Sequence, residues 1–221
     1  MASFLNKLKL KWNEGKFVCI GLDCAVGKLP QDLNQFNFNK QIIDQTAKLV
    51  CAYKINSAFY EAEGLAGWQA LEQTISYLRQ TYPDIATILD AKRGDTDNTN
   101  QAYTKSIFDN LGFDAVTVNP YLGQEALEPF LKYQDKGIII LVKTSNPGAG
   151  EFQDLEVNGK PLYQIVVGSQ NGDLLKTLIN GLDSNKQGLI ISSSRAIIFA
   201  QDPRQACEDL HLQIQKVLQN V

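Results

Sequence analysis

The sequence predicts an α/β protein of the (β/α)8 TIM-barrel type, built as one domain over residues 1–221. Three observations lead there. Short runs rich in Ile, Val and Ala alternate with stretches of helical periodicity. Those runs are continuously apolar rather than alternating, which suits parallel strands covered on both faces by crossover helices. Polar residues then cluster just after the strands, at Asp23, Lys54, Asp90, Lys92, Asn119, Lys143, Ser145 and Arg195. Ligands bind at that edge of α/β folds. Recurrence of the cluster after strand upon strand favours a barrel over a doubly wound sheet, and neither G-x-G-x-x-G nor a Walker A pattern is present to argue otherwise.

The elements follow in order. The opening MASFLNKLKLKWNEG is amphipathic, with Phe4, Leu5, Leu8 and Trp12 at helical spacing. It lacks the apolar core and small-residue cleavage site of a signal peptide. Strands are expected at Phe17–Leu22, Ala52–Ile55, Ala86–Leu89, Ala115–Val118, Gly137–Val142 and Leu189–Ser192. Helices are expected at about Asn39–Leu49, Leu65–Thr81, Asn98–Asn110, Gly123–Tyr133 and Pro203–Leu218, with a broken helix over Tyr163–Asn180. That makes six strands where a full barrel has eight. Trp12, Trp68 and Tyr60 read as packing residues.

Composition narrows the function. Of 221 residues, 44% are hydrophobic and 20% charged, ordinary values for a soluble globular protein. They exclude disorder, collagen-like repeats and a disulfide miniprotein. Length alone allows one large domain or two small ones; the lack of a linker, low-complexity tract or internal repeat selects one. A net charge of −3 and a pI near 5.2 leave no electrostatic footprint for nucleic acid or an anionic membrane. A small anionic ligand would have to be held by a few placed cations. No apolar run approaches the roughly 20 residues of a membrane span, and the cytoplasm is the expected compartment. Cys19, Cys24, Cys51 and Cys207 show no C-x-x-C and no zinc spacing, so buried free thiols are expected. His211 is the sole histidine, which argues against a His-based metal site or a Ser-His-Asp triad and leaves it as surface or core filler.

The strongest chemical signal is ILDAKRGDTDNTN, Ile88 to Asn100. Asp90 and Lys92 stand two apart at a strand end and are expected on one face. Asp95 and Thr99 follow in the loop and the next helix, and Lys54 ends the preceding strand in AYKINSAFYE. Neighbouring strands lie about 5 Å apart, so Lys54, Asp90, Lys92 and Asp95 can form an alternating array of charge. The alternative is a structural salt-bridge network, with Asp97 solvated and Asp95 capping the helix. The second strand-end lysine favours chemistry.

Seven blocks in order make the chain resemble the orotidine 5′-phosphate decarboxylase family, in its bacterial long form. They are CIGLD (Cys19–Asp23), KINSAFYE (Lys54–Glu61), LDAKRGDTDNT (Leu89–Thr99), AVTVNPYLG (Ala115–Gly123), LVKTSNPGAGEFQ (Leu141–Gln153), SQNGD (Ser169–Asp173) and SRAIIFA (Ser194–Ala200). The resemblance implies a (β/α)8 barrel homodimer with no metal and no organic cofactor, which converts orotidine 5′-phosphate to uridine 5′-phosphate and carbon dioxide. It implies Lys92, Asp90, Asp95 and Lys54 as catalytic residues. Asp23, Thr99, Ser145, Gln170 and Arg195 would bind substrate, and Asp95 and Thr99 would reach into the partner's site. Ser145 also has a plainer reading, as a loop hydroxyl capping Asn146-Pro147.

One departure from the family pattern stands out. Between Pro161-Leu162-Tyr163 and Gly172, members carry the rest of a helix, strand six, another helix and strand seven. Here Val166-Val167-Gly168 runs straight into Ser169-Gln170-Asn171. Roughly 50 residues are missing by the length of two βα units. Two rivals follow. One is a magnesium-dependent sugar-phosphate decarboxylase or aldolase of the same superfamily, against which Lys54 and the NSAF block argue. The other is a truncated barrel that binds a nucleotide phosphate without turnover.

Overall fold

The strands lie side by side in one sheet. They are β1 (Val18–Gly21), β2 (Val50–Asn56), β3 (Ala86–Arg93), β4 (Ala115–Val118), β5 (Gly137–Ile140) and a last strand, Ile191–Ser193. The computed structural model describes residues 2–157, 160–161 and 182–219. From one edge to the other the order is β5, β4, β3, β2, β1 and the last strand, and every neighbouring pair is parallel. Each strand thus lies beside its predecessor in the chain, and the last strand returns to β1. That is the winding of a (β/α) barrel, in which the eighth strand closes on the first. The expected junction at Val166 to Ser169 and the broken helix over Tyr163–Asn180 fall outside the described residues.

Burial follows position in the sheet. Every residue of β1 and β4 is buried, as expected where both faces are covered. The two edges are wetter: β5 exposes Ile140, and no residue of the last strand is fully buried. Among the described residues these edges do not pair with each other. Among the described residues, the six strands therefore leave two edges without the partners that closure supplies.

Local chemistry sets where the helices begin and what they cover. Helix Gln35–Thr46 starts four residues before Asn39 because the Asn34 side chain accepts from the Asn37 N–H (2.8 Å) and caps it. Ser3 caps helix Phe4–Asn13 in the same way. That helix crosses the end of the sheet opposite the ligand edge. Its buried Lys7 pairs with Asp114, just before β4 (2.9 Å), and Lys11 pairs with Asp84, just before β3. Leu8 and Trp12 are buried on this helix as expected, whereas Leu5 faces solvent. Trp12 Nε1–H donates to the Leu189 carbonyl (2.8 Å). Tyr60 is fully buried, as expected of a packing residue, but Trp68 is 41% exposed and does not pack as expected. All four cysteines are buried free thiols, and burial pushes the Cys19 thiol up to about 12. His211 is half-buried on the terminal helix Pro203–Leu218.

Three regions were not legible in advance. β3 runs on to Arg93, four residues past Leu89. Beyond it, helix Asp97–Thr104 widens into a π turn, Lys105–Leu111, which ends at Gly112 with φ 77°. A short helix, Ala58–Glu61, follows β2. A two-stranded ribbon pairs Glu156–Val157 with Lys160–Pro161.

Candidate active site

Four charged side chains meet where β1, β2 and β3 end. Asn56 on β2 lies opposite Asp90 on β3, and by the two-residue strand period Lys54 shares that face. Lys54 Nζ lies 3.1 Å from Asp90 Oδ2 and 3.6 Å from Asp23 Oδ2. Lys92 Nζ lies 2.7 Å from Asp90 Oδ1. The array therefore reads Asp23–Lys54–Asp90–Lys92. The Asp23 carboxylate also accepts the Asn56 backbone N–H (3.0 Å).

The formal charges of two lysines and two carboxylates sum to zero, so the group holds no large unpaired charge in a poorly solvated place. Burial opposes ionisation of Asp90. The Lys54 charge, with hydrogen bonds from Lys92, Thr117 and Lys54, outweighs it and holds the carboxyl below its ordinary value. Burial also works against the Lys54 ammonium, and the charges of Asp23 and Asp90 reverse the balance and raise it. Lys92 is the open end, with 48% of its side chain exposed against 12% for Asp90.

The end of β3 is irregular where a regular one was expected. Its register with β4 shifts between Leu89 and Arg93, and Lys92 has φ 48°, a left-handed backbone uncommon for a side chain with a Cβ. Asp90 and Lys92 meet through that turn of the chain. Close backbone approach is required at two glycines beside it. A Cβ at Gly21 would lie 2.8 Å from Asp23 Oδ2, and one at Gly94 would lie 2.4 Å from the Asn119 carbonyl oxygen.

The other expected site residues stand apart from this array. Asp95 does not join it within its own chain. Its Oδ1 accepts the Thr96 N–H (2.6 Å), and its backbone N–H donates to Asn100 Oδ1 (3.1 Å). Among the described residues it has no ion pair, and it caps no helix through its side chain. Thr99 is half-buried on helix Asp97–Thr104. Ser145 is exposed in the stretch after β5. There Thr144, not Ser145, makes the local bonds, to Gln153 (2.8 Å) and Asn146 (2.6 Å). Arg195 is exposed at the start of a short helix, Arg195–Ile198, just past the last strand. Ser194 beside it donates to the Gly21 carbonyl (3.0 Å), tying that end to β1. Gln170 lies outside the described residues.

Sequence reasoning missed Thr117, Asn56 and Asn100. Asn100 Nδ2 donates to the carbonyls of Asp95 and Ala126, both at 2.6 Å, and so fixes the loop after β3. The available signal for Thr117 was one hydroxyl inside the otherwise apolar AVTV run of β4.

Parallel strands wound in barrel order, with a net-neutral Asp/Lys array at their C-terminal ends, define the class as a barrel-type enzyme. Comparison with known proteins is specific about which. Residues 17–166 match the family described as Orotidine 5′-phosphate decarboxylase / HUMPS. The orotidine 5′-phosphate decarboxylase of Flavobacterium johnsoniae is 38% identical, covering 93% of this chain and 92% of its own. That of Christiangramia forsetii is 41% identical, covering 84% and 85%. The structure of Leishmania donovani OMP decarboxylase superposes with a TM-score of 0.87 at 32% identity, covering 97% of this chain and 98% of that one. This chain belongs to the Orotidine 5′-phosphate decarboxylase / HUMPS family.

It is also shorter inside than the Flavobacterium and Christiangramia relatives. The alignment with the Flavobacterium protein spans 251 positions, yet 93% of 221 residues is about 206. About 45 positions therefore face no residue of this chain, close to the missing length read from the sequence. The family match ends at residue 166, where that gap was placed.

Proposed function

We propose that this chain decarboxylates orotidine 5′-phosphate to uridine 5′-phosphate and carbon dioxide, the step that completes de novo synthesis of a pyrimidine nucleotide. The observation that carries the proposal is the Asp23–Lys54–Asp90–Lys92 array, two carboxylates and two lysines in contact, most exposed at Lys92. Breaking the bond from C6 of the pyrimidine to its carboxylate leaves the electron pair on C6, in the ring plane, without enolate-type delocalisation. Fixed charge in a water-poor site lowers such a barrier. The Lys92 ammonium stabilises the developing carbanion and then delivers its proton to C6 as the general acid. Asp90 stands beside the departing carboxylate and orients Lys92. Lys54 keeps Asp90 ionised, and Lys54 and Asp23 bond the ribose hydroxyls.

The remaining residues bind. Ser145 reads the edge of the pyrimidine, Gln170 bridges base and phosphate, and Arg195 takes the phosphate dianion with its planar fork. The working form is a cytoplasmic homodimer in which Asp95 and Thr99 complete the partner's site. The carboxylate of Asp95, turned from the lysines of its own chain, supports that arrangement. No helix among the described residues is long and apolar enough to cross a membrane. Among those residues, no three His, Cys, Asp or Glu side chains converge as metal ligands.

The test is turnover of orotidine 5′-phosphate by the purified chain, followed by carbon dioxide release with and without EDTA. Equal release in both is expected. No release from orotidine 5′-phosphate, together with magnesium-dependent turnover of a sugar phosphate, would favour the sugar-phosphate decarboxylase or aldolase reading instead. The shortfall of about 45 positions favours a second reading, a barrel that binds nucleotide without turnover. Binding of uridine 5′-phosphate with no carbon dioxide release would establish it.

Grip on the phosphate can be used at the reacting ring. Arg195→Ala is expected to raise KM by about tenfold or more, on the scale of a lost charge-assisted contact. Added phosphite dianion should partly restore turnover of a substrate analogue that lacks the phosphate. Equal kinetics for variant and wild type would remove Arg195 from the phosphate site.

A further inference from the structure

We propose that Thr117 is a positioning residue that sets the geometry of the Asp90–Lys92 pair. It stands on β4, next to β3, and is 7% exposed. Its Oγ1 lies 3.0 Å from the Lys92 backbone nitrogen and 2.8 Å from Asp90 Oδ1. The polarity of this relay follows from the inventory of donors. A backbone N–H can only donate, so the Thr117 oxygen accepts there. The one hydroxyl proton is then free for Asp90, whose ionised carboxylate can only accept.

Both bonds answer a need that β3 creates. Its ladder with β4 steps from Leu89 opposite Val116 to Arg93 opposite Val118. Residues 90–92 have no ladder partner on β4, and the Lys92 N–H donates to the Thr117 hydroxyl. That bond holds Lys92 in its left-handed backbone (φ 48°), a conformation disfavoured for residues with a Cβ. The same hydroxyl shares Asp90 Oδ1 with Lys92 Nζ, while Lys54 occupies Oδ2. One side chain thus ties together the carboxylate, the backbone that aims the lysine, and the strand behind them. A β-branched residue suits the task, since its χ1 is stiff.

The inference rests on the decarboxylase reading for its kinetic consequence and is independent of it for its electrostatic one. Thr117→Val keeps the shape and removes the hydroxyl; Thr117→Ser keeps the hydroxyl. Thr117→Val is expected to lower kcat by about tenfold or more with KM within about threefold, and Thr117→Ser to stay within about threefold of wild type. Carbon-13 NMR of aspartate-labelled protein, with Asp90 assigned through Asp90→Asn, should show the Asp90 titration moved up in Thr117→Val and unmoved in Thr117→Ser. Thr117→Ala, read in parallel, should follow Thr117→Val and serves if that variant does not fold. An Asp90 titration unchanged in the variants without a hydroxyl would overturn the proposal, as would equal kinetic losses in Thr117→Ser and Thr117→Val. If the wild type shows no turnover, the functional reading fails, and the titration still decides the role of Thr117.

Discussion

Lys92→Ala is expected to lose at least about 10³-fold in kcat, the combined scale of a missing general acid and a missing fixed charge. Affinity for uridine 5′-phosphate should remain within about threefold, because the product carries no carboxylate at C6 and is gripped through its ribose and phosphate. The structure makes Lys92 a sensitive position. It is the exposed end of the array, 2.7 Å from Asp90 Oδ1, and its removal leaves Asp90 with one ion pair of its two, that with Lys54. Steady-state kinetics beside calorimetric titration with the product separate the two effects. A variant within a few fold of wild type in kcat would refute the role assigned to Lys92.

Chains carrying Asp95→Ala and chains carrying Lys92→Ala, each nearly inactive alone, are expected to regain activity when mixed. If Asp95 works in the partner's site, a mixed dimer has one site with both residues intact and one with neither. Random pairing makes about half the dimers mixed in a two-fold assembly, so about a quarter of all sites are restored. The structure motivates the experiment, because Asp95 turns to Thr96 and leaves the lysines of its own chain to Asp23 and Asp90. Subunit exchange is confirmed by native mass spectrometry with one variant isotopically labelled. Exchange without recovery would place Asp95 in its own chain's site or outside catalysis.

Much of the site was legible in the sequence because short strands in a parallel sheet deliver their last residues to one edge. Asp23, Lys54 and Asp90 were marked by position, each a charge directly behind an apolar run, and Lys92 by its place two residues past Asp90. Their partnership was only half readable. The array forms with Asp23 in place of Asp95, because β1 lies beside β2 while Asp95 sits beyond the irregular end of β3. Thr117 escaped notice for a related reason. Its value depends on the skipped ladder residues of another strand, and nothing in AVTV records which neighbour has slipped.

The sequence by itself determined the strand runs, the helical faces and the strand-end charges, and its resemblance to the family marked the shortfall between Tyr163 and Gly172. Each of these is written in local periodicity or in the order of blocks along one chain. Only the tertiary structure decided that Lys54 bridges two carboxylates, that Lys92 takes a left-handed backbone, and that a β4 hydroxyl holds it there. Those outcomes depend on the register between strands about 30 residues apart. Register is chosen by the packing of the whole sheet, so a one-residue slip that would turn every side chain to the other face is invisible in any single strand.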